Sequence, residues 1–147
     1  MIDMKRLLFT ISLLLSIAFM LSGQPSDSFV SSSVMDASKD AKYLKDFRIE
    51  LGKTSEQNEL RYRTNVSLWK NTRYRFTVYN AEDSKGQLYL TLKDETDRVI
   101  LTSYDSETGK AYQFVEFICN RSGIYQLNYD FINGQQGSGV GIISIVK

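Results

Sequence analysis

Few groups in this 147-residue chain are equipped to make or break bonds. Histidine is absent. That removes Ser-His-Asp and Cys-His nucleophile systems and histidine-ligated zinc, together with the commonest general base near neutral pH. A paired-carboxylate site is what remains for hydrolysis. Asp94, Glu95 and Asp97 cluster in "KDETDR", and the same oxygens are the candidate calcium ligands. The segment lies between two predicted strands and lacks the pattern of a dedicated calcium loop, so it reads as a solvated turn. A carboxylate-dependent hydrolase therefore ranks third among the functions considered. The chain is read as non-enzymatic, without a cofactor.

Binding chemistry is better represented. In "FVEFIC", Val115, Phe117 and Cys119 take the inward phase while Phe114 and Ile118 point outward. In "VGIISIV", Ile143 and Ile145 stand against Ile142 and Val146. Strands apolar on both faces are either covered on both sides or present an apolar patch to a partner. An open edge can also accept a partner strand. Trp69 and Arg73, expected side by side across a three-residue loop, form a second contact candidate as a cation–π pair. A protein partner leads on these residues, Trp69, Arg73, Phe114 and Ile118. The alternative is a carbohydrate-binding module using Trp69, Tyr79 and Tyr89, all on the outward phase of their strands and close to arginines.

Compartment follows from the N-terminus. Lys5 and Arg6 precede an apolar run from Leu7 to Leu21 and then Ser22 and Gly23, the layout of a secretory signal peptide. The run is shorter than the roughly 20 residues of a spanning helix. Residues 1–23 are assigned to this leader, and export to a periplasmic or extracellular location, with a bacterial envelope favoured. Of the 18 basic and 17 acidic side chains, sixteen of each remain after residue 23. That balance gives no global attraction to nucleic acid. No second apolar segment of spanning length follows, so the mature chain is expected to carry no membrane span. The single cysteine, Cys119, cannot form an internal disulfide, and its inward phase marks it as a small core hydrophobe. The triplets at Asn65 and Asn120 match the glycosylation pattern, which a bacterial source would make accidental.

These groups need elements to position them. Residues 24–45 hold six serines and the one proline and read as a flexible linker, with one or two helical turns expected in "DASKDAKYLKDF", capped by Asp36 or Ser38. From Phe47 the apolar period becomes two. Leu60–Leu68, Tyr74–Val78, Leu88–Leu92, "RVILTSY", "QFVEFIC", "IYQLNYDF" and "VGIISIV" bring the total to about eight short strands separated by polar turns. This pattern is all-β, an antiparallel sandwich or barrel over residues 46–147. Two hairpins are expected. Leu60–Leu68 with Tyr74–Val78 demands an odd loop, with Asn71 in the left-handed conformation. "NRSG", with Gly123 at positive φ, would join Phe117 and Cys119 to inward Tyr125, Leu127 and Tyr129. "NGQQGSG", residues 133–139, reads as a long turn or contact loop.

The stretch "F-x-C-x-x-S-G-x-Y-x-L", Phe117 to Leu127, resembles the penultimate hairpin of the GOLD domain of secretory-pathway cargo receptors and of the bacterial pre-peptidase C-terminal domain. "VSLWKNTRYRFTV" and "LYLTLKDETDRVI" are similar to the latter's pattern, and the resemblance covers roughly residues 60–146. The second cysteine of the GOLD group is missing. The resemblance implies a jelly-roll-like sandwich used for binding, with no catalytic residues to carry over. N-terminal sequencing of the exported protein is expected to begin at or near Gln24; retention of Met1 or Met4 would refute the leader.

Overall fold

The computed structural model describes residues 23–54 and 61–147. The expected leader through residue 22, and Leu60 at the start of the second expected strand, lie outside the described residues. Among the described residues one α-helix, α1 (Asp27–Ala37), precedes ten strands. These are β1 (Ala41–Leu51), β2 (Tyr62–Leu68), β3 (Thr72–Asn80), β4 (Leu88–Lys93), β5 (Val99–Thr102), β6 (Tyr104–Asp105), β7 (Lys110–Ala111), β8 (Phe114–Cys119), β9 (Gly123–Phe131) and β10 (Gly137–Val146).

Eight of these strands form two four-stranded antiparallel sheets, β1-β10-β3-β8 and β2-β9-β4-β5, and β6 with β7 makes a small separate ribbon. Counted without the ribbon, the order is 1-8-3-6 in one sheet and 2-7-4-5 in the other, which is a jelly roll. We call them the first and second sheets. Inner-face residues alternate as the period of two requires. Phe47, Ile49, Tyr74, Phe76, Val78 and Ile143 of the first sheet meet Val66, Leu68, Leu88, Leu90, Leu92, Tyr125, Leu127 and Tyr129 of the second. Full burial of each such aliphatic or aromatic side chain contributes about 1.5–3 kcal/mol.

Both expected hairpins are corrected by this topology. β2 and β3 are in different sheets, and so are β8 and β9. The connection crosses from sheet to sheet in each case, and the inward sets survive because alternation within a strand does not depend on which strand is its neighbour. Asn71 does take φ 66°, but Gly123 stays out of the left-handed region and begins β9 instead. The "NGQQGSG" segment is shorter as a loop than expected. A 3₁₀ turn spans Ile132–Gly134, and β10 starts at Gly137.

The serine-rich segment is also corrected. Ser26 caps α1 by accepting a hydrogen bond from the Phe29 N–H at 3.2 Å. The helix occupies the residues read as linker and ends where helical turns were expected to begin, with Ser38 as its C-terminal cap. Val30 and Ala37, with Phe29 and Val34, pack on Val140, Ile142 and Tyr79. α1, from Asp27, thus packs on the sandwich, and the first described strand begins at Ala41, earlier than the alternation from Phe47 suggested.

Two details of β10 set the distance between the sheets. A Cβ at Gly139 would press on the Tyr79 carbonyl and Leu88, and one at Gly141 would overlap the ring and hydroxyl of Tyr129. Tyr129 is 1% exposed, and its hydroxyl has no hydrogen-bond partner among the described residues. Burial, with a smaller effect from Tyr62, pushes its pKa far above the usual tyrosine range. Gly141→Ala is expected to lower the unfolding free energy by about 1–3 kcal/mol. Tyr129→Phe should leave it unchanged or raise it by about 1 kcal/mol. Urea denaturation of both variants checks this, and a clear loss in Tyr129→Phe would mean that the hydroxyl is satisfied by buried water.

Candidate functional site: the apolar edge of the first sheet

Among the described residues β8 is the edge strand of the first sheet and pairs only with β3, Phe114 opposite Thr77, Glu116 opposite Arg75 and Ile118 opposite Arg73. Val78 N–H donates to the Gln113 carbonyl at 2.8 Å. That bond fixes the ladder phase: odd-numbered residues of β8 bond to β3, and the backbone groups of Phe114, Glu116 and Ile118 face the open edge. On the outer face Phe114 is 50% and Ile118 61% exposed.

Glu116 stands between these two apolar side chains and is neutralised from behind. Arg75 donates to its Oε1 from Nε at 3.1 Å and from Nη2 at 2.9 Å, and Arg73 lies 3.7 Å from Oε2. The Arg75 guanidinium also reaches Asp40 at 2.7 Å and lies 4.9 Å from the Phe114 ring centroid. The edge thus presents two apolar side chains around a paired carboxylate, with unpaired backbone beside them. The outward phase of Phe114, Glu116, Ile118 and Arg75 was legible from alternation. The Arg75–Glu116–Asp40 arrangement was not, since it depends on which strands are neighbours.

The other strand apolar on both faces resolves differently. Val140 and Ile142 of β10 are fully buried because α1 lies over them. The helix therefore covers the middle of the first sheet's outer face and leaves β8 open.

Trp69 and Arg73 do not form the expected pair. Trp69 follows β2 of the second sheet, 69% exposed, while Arg73 sits in β3 and is directed to Glu116. Nor do Trp69, Tyr79 and Tyr89 converge. Tyr79 is half-buried against α1 and donates to Asp36 Oδ2 at 2.7 Å; burial and then the Asp36 hydrogen bond push its pKa far up. Tyr89 lies on the second sheet's outer face, 5.4 Å from Tyr104. Leu68, next to Trp69, pairs with Gly123, and Tyr89 pairs with Asp130. Seven residues of β9, about 23 Å, separate those two positions.

The acidic turn holds no converging carboxylates. Asp94 accepts from the N–H groups of Thr96 and Arg98 and from the Arg98 side chain. Glu95 pairs with Arg121 at 2.9 Å and Asp97 with Lys93 at 3.2 Å. Each acid is occupied by its own partner. Cys119 is fully buried, its thiol donating to the Arg121 carbonyl at 3.2 Å. Asn65 and Asn120 are both exposed.

Acid should loosen the arrangement behind β8. The Arg75 hydrogen bond holds the Asp40 carboxyl below its usual value of 3.8. A depressed folded-state pKa gives stability that is present above the unfolded value and lost as pH falls through the folded one. Wild-type thermal stability should therefore drop below about pH 4, and Asp40→Asn should show a shallower drop. Equal slopes would show that the exposed pair contributes nothing.

Neither a protein-family model nor a curated protein matches this chain.

Proposed function

We propose that this chain is an exported, non-enzymatic binding module that engages a protein partner through the β8 edge, as an accessory subunit of an envelope or secretory assembly. The observation that carries this reading is the contrast between two strands. Val140 and Ile142 of β10 are covered by α1, whereas Phe114 and Ile118 of β8 stay exposed beside unpaired backbone. A partner strand laid along β8 would gain main-chain hydrogen bonds and cover both side chains. Glu116, already paired with Arg75 and Arg73, would enter that contact with its charge compensated. The leader-like N-terminus and the resemblance to GOLD and pre-peptidase C-terminal domains support export and a binding role.

Affinity capture from the native envelope with a tag after Lys147 is expected to recover a stoichiometric protein. Phe114→Ser with Ile118→Ser should abolish that recovery while leaving the thermal unfolding midpoint within a few degrees of the parent. Trp69→Ser should leave it intact. Recovery of the lone domain, or of the same partner by the double variant, would remove the reading.

A further inference from the structure

The second sheet's outer face is left open by α1, whose packing is on the first sheet. The register sorts its side chains into rows. Asp130 and Tyr89 form the first row, with Arg61 ion-paired to Asp130 and Tyr104 beside Tyr89. Arg63, Asn128, Thr91 and Thr102 form the second. Asn65, Gln126, Lys93 and Val99 form the third. Apart from the two tyrosine rings and the exposed Val99, every side chain in these rows ends in an amide, a hydroxyl or a charge.

Asn128 is the unusual member. It lies on the central strand β9, on the outward phase, yet is 4% exposed. Its amide Nδ2 donates to Gln126 Oε1 at 3.4 Å, and its Oδ1 has no hydrogen-bond partner among the described residues. A buried amide oxygen without a donor is costly. The exposed Arg63 stands directly opposite it in the register, and Tyr89 is its diagonal neighbour on β4. Tyr89 stays protonated far above neutral pH because of burial and the nearby Asp130, so its hydroxyl remains a donor.

We infer that this face binds a glycan, with one sugar ring against Tyr89 and Tyr104 and its hydroxyls hydrogen-bonded to Asn128, Thr91 and Arg63. Adjacent rows are about 6.6 Å apart along the strands, a span that one pyranose with its hydroxyls covers. A ligand hydroxyl reaching the buried Asn128 Oδ1 requires a neighbouring side chain to move aside, and the exposed Arg63 opposite it in the register is placed to do so. The charges of the face suit a ligand of little charge. Arg61 is paired with Asp130 at 2.7 Å and Lys93 with Asp97 at 3.2 Å, leaving Arg63 without a carboxylate partner among the described residues. A nucleic acid would meet Asp130 and one uncompensated cation, and the exposed apolar side chains of the face, Val99 and Ile124, lie away from the Tyr89 row. The residues differ from the sugar site expected from the sequence. Tyr89 remains, Trp69 is at the far end of the sheet, and Tyr79 is under α1.

The exported protein would be titrated with cellohexaose, xylohexaose, chitohexaose and hexagalacturonate, with amide chemical shifts as the readout. Saturable shifts on β4 and β9 are expected for at least one probe. Tyr89→Ala and Asn128→Ala should each weaken binding by about tenfold or more. Phe114→Ser with Ile118→Ser should leave it unchanged, which separates this site from the protein-binding edge. If Asn128→Ala does not fold, Tyr89→Ala and Arg63→Ala decide. No saturable binding of any probe up to millimolar concentration overturns the inference. So does binding that both of those surface variants leave intact, or shifts confined to the first sheet.

Discussion

The sandwich depends on β10 being thin on its inner side. Gly139 and Gly141 leave the room that Leu88 and Tyr129 of the facing sheet occupy. β10 also pairs with both β1 and β3, so a displacement there would be transmitted to both neighbours at once. Its outer side carries the opposite chemistry, Val140 and Ile142, and draws α1 down onto it. One strand thus fixes the sheet separation, joins the halves of the first sheet and seats the helix. The buried Tyr129 hydroxyl is the cost of filling that space with a tyrosine.

Much of this was legible in alternation. The inward sets of β2, β3, β4, β8 and β9 follow from residues two apart, and they are right whichever strands turn out to be neighbours. Pairing was not legible. Sequence proximity suggested hairpins at Asn71 and at "NRSG", but a jelly roll joins strands that are far apart in the chain, β2 to β9 and β3 to β8. Alternation within a strand is indifferent to its neighbour, so it does not distinguish a hairpin from a crossing loop. The helix was misplaced for a different reason. Six serines suggested a linker, yet Ser32 and Ser33 bond back to the Phe29 carbonyl and Ser26 caps the start. The signal was Phe29, Val30, Val34 and Ala37 at helical spacing.

The same distinction governs the candidate sites. The outward phase of Phe114 and Ile118 was recognisable because alternation is a one-strand property, whereas their exposure also depends on α1 covering β10 and not β8. The Trp69–Arg73 pair and the aromatic trio needed neighbours, and the neighbours assumed were the wrong ones. Asn128 was invisible, because an asparagine in "IYQLNYDF" acquires significance only when Arg63, Thr91 and Tyr89 are placed around it. The two outer faces that result are chemically unlike. One is apolar at its edge and helix-covered in the middle, and the other is mostly polar, with Val99 and Ile124 exposed towards one end, and is not covered by α1.

The wrapping of the chain also bears on the order of events during synthesis. β1 finds its partner in β10, which follows every other strand in sequence. The seat of α1 lies on that same last strand. Neither the first strand nor the helix ahead of it has its docking surface until β10 has left the ribosome. Contacts of such long sequence separation form slowly. A chain built this way leaves its N-terminal segment without its final packing partners until the last strand has been made.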